Sequence, residues 1–155
     1  MASLIDSVFT NDLAGLPARL DGGADPNERD GDGRTSLIHA AIDNKLDAAR
    51  LLLERGADVN AQDGLGYSAL HYAGQNYFPK MAALLIDRGA KVDVEDIYGN
   101  TPLRRATFES KGRGELISLL LKAGADRNHR NKHGKTPMDL AKLIANYNIA
   151  QFFNY

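Results

Sequence analysis

The chain has 155 residues, 43% apolar and 25% charged, with a net charge of −1, enough for one domain with a buried core. Cysteine is absent, which excludes disulfides and thiolate chemistry. The start lacks a basic stretch followed by an unbroken apolar run, and no apolar run approaches the ~20 residues of a membrane-spanning helix, so a cytoplasmic protein with no membrane role is expected.

Residues 1–29 read as a capping unit, with Pro17 inside an expected helix that it kinks. The unit ends on Gly23-Ala24-Asp25-Pro26-Asn27. That string returns as Gly56-Ala57-Asp58-Val59-Asn60, Gly89-Ala90-Lys91-Val92-Asp93 and Gly124-Ala125-Asp126-Arg127-Asn128, with glycines 33, 33 and 35 residues apart. A second series (Gly33-Arg34-Thr35, Gly66-Tyr67-Ser68, Gly99-Asn100-Thr101, Gly134-Lys135-Thr136) keeps the same spacings. The chain after the cap therefore divides into units 30–62, 63–95, 96–130 and a closing unit 131–155.

Each unit implies two helices. Thr35, Ser68, Thr101 and Thr136 are expected N-caps, with Pro102 and Pro137 at the first helical position. Small residues follow in the first helix (Ala40-Ala41, Ala73-Gly74, Ala106) and permit close helix approach. The second helix carries one apolar stripe, as in Leu46, Ala49, Leu52 and Leu53, and stops at Gly56, Gly89 or Gly124. Pro79 starts the second helix of its unit after Tyr77-Phe78. Two extra residues of the fourth unit fall within Glu109-Ser110-Lys111-Gly112-Arg113-Gly114, between its helices. The closing unit is expected to keep two helices, the second ending in Ile149, Ala150, Phe152 and Phe153.

Thr101-Pro102-Leu103, Leu70-His71, the alanine pair and Gly-Ala-Asp-Val-Asn, recurring at this period, resemble the ankyrin repeat. The resemblance covers essentially the whole chain. It implies an all-α ankyrin-repeat solenoid of about five helix-turn-helix units joined by β-hairpin-like loops. Only His71 has the family histidine after leucine; Ile38, Arg104 and Asp139 stand there elsewhere, so those helix starts are expected to be weaker.

No constellation for catalysis stands out, and no cofactor or metal is expected. His129 and His133 have metal-like spacing but lie among cations in a turn segment. Lys111-Gly112-Arg113-Gly114 lacks the spacing of a phosphate-binding loop, and a solvated insertion is the expectation. Residues 1–96 carry 16 acidic and 9 basic side chains, a net of −7, and residues 97–155 a net of +6. The polarity suits either a partner read by electrostatics or two ordinary solvated faces. It disfavours nucleic acid, whose phosphates half of the solenoid would repel.

The resemblance implies a protein partner, met by the turn tips and the exposed side of the first helices, and a chain that is monomeric on its own. Projected onto this sequence, the candidate partner-binding residues are Asp30, Asp32, Arg34, Leu65, Tyr67, Tyr72, Asn76, Ile97, Tyr98, Arg105 and Phe108. Leu65, Tyr67, Tyr72, Ile97, Tyr98 and Phe108 put large apolar groups where a solvated face carries small polar ones, which reads as a binding patch rather than cover for the inter-repeat core. Gly112-Arg113-Gly114-Glu115, Ile144-Ala145-Asn146-Tyr147 and Phe152-Phe153 resemble small bacterial ankyrin proteins that neutralise secreted toxins. That resemblance implies an immunity protein blocking a toxin or other enzyme domain. The alternative is a regulatory adaptor or inhibitor docking on a kinase or transcription factor.

Overall fold

The computed structural model describes residues 2–144 and 146–154. Helices run in pairs through it: α1 Leu4–Phe9, α2 Gly15–Asp21, α3 Ser36–Ile42, α4 Leu46–Glu54, α5 Ala69–Gln75, α6 Pro79–Asp87, α7 Pro102–Glu109, α8 Glu115–Lys122 and α9 Pro137–Leu143, followed by a 3-10 turn Ile149–Phe153. No strand forms among the described residues; the loops between pairs hold one isolated bridge, Gln62 with Ser68.

The first helices start where the hydroxyls predict. Thr35 accepts from Ile38 N at 3.3 Å, Ser68 from His71 N at 3.3 Å, and Thr136 from Asp139 N at 3.0 Å. Thr101 departs from the expectation: its backbone is extended like the others, but its buried hydroxyl has no partner among the described residues. The helix starts lacking histidine are not all weak, because other side chains take over its work. Asp139 bonds back to Thr136 N at 2.9 Å, as His71 does to Ser68 N at 3.2 Å. Arg104 reaches the next unit's backbone at Thr136 O (3.2 Å), as His71 reaches Asn100 O (2.8 Å).

Stacking of like helices buries the core. α5 lies against α3 on one side and α7 on the other, and α6 against α4 and α8. Ala40, Ala41, Ala73 and Ala106 are fully buried at the seam. Gly74 has to be small, since a Cβ there would lie 2.9 Å from Pro102 O of the next unit. The second helices bury Ala49 and Leu52, Ala82 and Leu85, Ile117 and Leu120. Gly56, Gly89 and Gly124 end them at φ of 91°, 90° and 97°.

Two expectations need correction. Pro17 is the third residue of α2, in the first turn, where its missing N–H removes no intrahelical bond; the expected kink has no cause. Among the described residues the closing unit forms no second α-helix: residues 149–153 make a 3-10 turn that buries Ile149 and Phe153 completely. Its aromatic rings fix the two-residue insertion. A Cβ on Gly112 would meet Tyr147 at 2.8 Å, and one on Gly114 would meet Phe152 at 2.3 Å. Arg113 lies 3.8 Å over the Tyr77 ring, whose hydroxyl accepts from Leu116 N at 3.3 Å. The insertion thus packs as a joint between units at Ser110, Gly112 and Gly114, while Lys111 and Arg113 stay exposed, as a solvated insertion implies. Tyr77 holds a left-handed φ of 56° where the two earlier units carry Asn11 and Asn44, each at 54°, and its buried ring fills that joint.

Candidate functional site

The loop tips are shaped by one short side chain each. Asp30 Oδ1 accepts from Asp32 N (2.9 Å) and Arg34 N (3.0 Å). Asp63 Oδ1 does the same for Leu65 N and Tyr67 N, both at 2.9 Å. Asp96 serves Tyr98 N (2.8 Å) and Asn100 N (3.0 Å), and Asn131 serves His133 N (2.9 Å) and Lys135 N (3.0 Å). Successive tips are then joined by backbone bonds: Gly64 N to Asp32 O (2.9 Å), Ile97 N to Leu65 O and Lys132 N to Tyr98 O (both 3.0 Å). Gly66, at φ +76°, makes this approach possible, because a Cβ would sit 2.9 Å from the Asp96 Cα. Leu65, Ile97, Tyr98 and Lys132 therefore stand in fixed order along one edge.

The second carboxylate oxygen of each aspartate reaches nine residues forward into the following first helix. Asp30 meets His39 Nε2 at 2.7 Å, Asp63 accepts from the Tyr72 hydroxyl at 2.5 Å, and Asp96 accepts from Arg105 Nη2 at 2.7 Å. In the closing unit Leu140 stands nine residues after Asn131, and Asn131 Nδ2 instead donates to Asn100 Oδ1 at 2.9 Å. These locks tie the tip of each inner unit to its helix. Burial and then the Asp63 hydrogen bond push the Tyr72 phenol up to about 12. Burial alone would raise Asp30, but the bonds from His39, Arg34 and Asp32 outweigh it and hold that carboxyl below its ordinary value.

This arrangement splits the candidate residues. Tyr67 and Tyr72 are buried at 9% and 6% exposure, with rings 5.2 Å apart edge to face, so they are core and not exposed anchors as the sequence suggested. Their rings carry arginines: Arg105 sits 4.8 Å over Tyr67, and Arg34 sits 5.7 Å over Tyr72 while donating to its hydroxyl at 3.3 Å. Leu65, Ile97, Tyr98 and Phe108 are exposed, Phe108 at 68%. Asp32 is an exposed rim charge beside Arg34, whereas Asp30 is half-buried and structural. Asn76 is exposed at the end of α5 and donates to Ile42 O at 3.3 Å.

Sequence reasoning missed Asp63 and Asp96. The signal was available: Asp30, Asp63, Asp96 and Asn131 recur at the repeat spacing, and the first three stand nine residues before His39, Tyr72 and Arg105. His129 engages Glu95 at 2.6 Å, and His133 is exposed without entering a group of three possible metal ligands among the described residues.

The family model described as ankyrin repeats (3 copies) matches residues 5–96 and 55–131. Among curated proteins none matches the chain.

Proposed function

The chain belongs to the ankyrin-repeat family and is a protein–protein interaction module, and from that premise we propose that its partner binds along the loop tips and the outer face of α7. The carrying observation is the row Leu65, Ile97, Tyr98 and Phe108: large apolar side chains left exposed on a scaffold of hydrogen-bonded tips. A rigid row loses little conformational entropy on binding, and aromatic side chains concentrate binding energy. Asp32, Arg34, Asn76 and Arg105 form the polar rim. No catalytic role is proposed. Within this reading, the resemblance to toxin-neutralising ankyrin proteins supports inhibition of a toxin domain in the cytoplasm, and a regulatory adaptor is the competitor.

Co-purification from source cells with mass spectrometry identifies the partner, and assaying that partner with and without the chain separates inhibitor from adaptor. The surface itself is tested by Tyr98→Ala and Phe108→Ala. Each is expected to weaken binding roughly thirty-fold, the equivalent of about 2 kcal/mol, at an unchanged melting temperature. Parental affinity in both variants sinks the reading.

A further inference from the structure

Beyond apolarity, the docking row has a sign of charge at its C-terminal side. Arg130, Lys132, Lys135 and Lys142 are exposed there. Lys132, Lys135 and Lys142 form no ion pair among the described residues. Two of the nearby carboxylates are already engaged, whereas that of Glu109, next to Phe108, forms no ion pair among the described residues. Asp96 has a fully buried side chain spent on Tyr98 N, Asn100 N and Arg105, and Asp139 closes the Thr136 cap. Burial, and then the charge of Arg105, push the Arg104 guanidinium below its ordinary value, while the charges of Asp139 and Asp96 act the other way.

Arg105 is the best-prepared group in this field. Asp96 holds its Nη2 at 2.7 Å, and the Tyr67 ring lies 4.8 Å beneath its guanidinium carbon. Its Nη1 donates no hydrogen bond among the described residues, and 24% of the side chain is exposed. A guanidinium held through Nη2 and stacked on a ring, with Nε buried and unpaired and Nη1 open, presents a planar donor to a carboxylate without first being ordered. Phe108 lies one helical turn further along the same face of α7, and Tyr98 lies in the tip that Asp96 shapes.

We propose that this end of the surface receives an acidic–apolar segment of a partner protein, with one carboxylate on Arg105, an adjoining apolar side chain against Tyr98 and Phe108, and further acidic residues along Lys132 and Lys135. The proposal rests on the docking row described above and names the chemistry that the row reads. Charge complementarity selects this occupant. A nucleic acid would bring phosphates toward residues 1–96, whose net charge is −7.

The test selects phage-displayed random twelve-residue peptides on the intact chain and measures binding of the enriched sequences at low and moderate salt. The expected consensus sets Asp or Glu beside Leu, Ile or Phe. Arg105→Gln should weaken such a peptide about ten-fold or more, and the peptide's own Glu→Gln version should lose that sensitivity. Because Arg105→Gln also strips Asp96 of a partner, the exposed Lys132→Glu serves as a second variant and should weaken the same peptide. A basic or neutral consensus, or no enrichment, overturns the proposal. If such non-acidic peptides are still displaced by Phe108→Ala and Tyr98→Ala, the docking row survives and only its acidic specificity fails. Peptides indifferent to both aromatic substitutions sink the row as well. Tighter binding of a single-stranded oligonucleotide than of the acidic peptide overturns it, as does self-association of the chain that Arg105→Gln abolishes.

Discussion

Replacing Tyr72 by phenylalanine removes one oxygen from the middle of the structure and leaves the packing volume unchanged. That oxygen donates to Asp63 at 2.5 Å and accepts from Arg34 at 3.3 Å. The Asp63 side chain is only 2% exposed, so water cannot replace the lost donor. Hydrogen bonds to a charged group contribute about 1.5–3 kcal/mol. Asp63 keeps its two backbone donors, and Arg34 Nε lies 3.6 Å away and can close on it, which sets the cost near the lower half, about 2 kcal/mol. For a domain of this size that is roughly 4–8 °C in melting temperature. The effect carries its own pH signature. The phenol titrates at about 12 in the folded chain, against about 10 when unfolded. Below pH ~10 both states hold the proton and the stabilisation is fully present; between about 10 and 12 the unfolded state loses its proton first, and the stabilisation is lost. Urea unfolding followed by circular dichroism should therefore show a gap between parent and Tyr72→Phe at pH 7 that closes toward pH 12. A gap under about 0.5 kcal/mol at neutral pH, or one that persists unchanged past pH 12, refutes the tip-to-helix lock.

Burial drives the fully buried His71 below its ordinary value, so the folded chain resists its protonation; stability is present above the unfolded pKa of about 6.5 and falls as the pH drops further, and a carbon-detected imidazole titration should place His71 below that value. Nδ1 accepts from Ser68 N, and Nε2 donates to Asn100 O, a bond that works against the burial effect without overcoming it. Gly66→Ala should cost about 2 kcal/mol or more, combining left-handed strain with a clash against the Asp96 backbone. Gly56→Ala, with nothing within 4 Å of its Cβ, should cost only the strain, about 1 kcal/mol, and equal costs in denaturant melts would deny the tip packing. Deleting residues 131–155 uncovers the apolar side of α7 and α8 that α9, Ile149 and Phe153 bury, and should yield an aggregating chain; a soluble, cooperatively melting truncation would contradict this.

The backbone was legible because its signals are local. An N-cap hydroxyl, a proline at the first helical position and a left-handed glycine each act within a few residues, and their recurrence at one spacing gave the architecture. The candidate site was legible only in part. Leu65, Ile97, Tyr98 and Phe108 are exposed, as helical and tip positions imply, whereas Tyr67 and Tyr72 occupy equivalent-looking positions and are buried. The difference lies in non-local partners: Asp63 draws the Tyr72 hydroxyl inward across nine residues, and Arg105 of the next unit covers Tyr67. The packed side of the insertion was missed for the same reason, since only the fold brings Tyr147 and Phe152 of the closing unit against Gly112 and Gly114.

The same distinction decides which half of the chain can recognise a partner by charge. By count, residues 1–96 are the strongly charged part, at −7. Yet many of those carboxylates have work inside the molecule. Asp25, Asp30, Asp58, Asp63 and Asp96 accept from backbone N–H groups, and Asp12, Asp21 and Asp47 face Arg19, Arg55 and Arg50. A buried carboxylate such as that of Asp63 or Asp96, with both oxygens bonded, is closed to a partner, whereas exposed Asp25 and Asp58 each keep an oxygen open. Lys132, Lys135 and Lys142 at the other end are exposed and form no ion pair among the described residues. These three exposed cations lie at the end of the chain whose net charge is +6. A partner drawn by long-range attraction would register the whole dipole, and its rate of association would follow salt. Its bound-state contacts would concentrate where donors are open, beside Arg105 and the exposed aromatic rings.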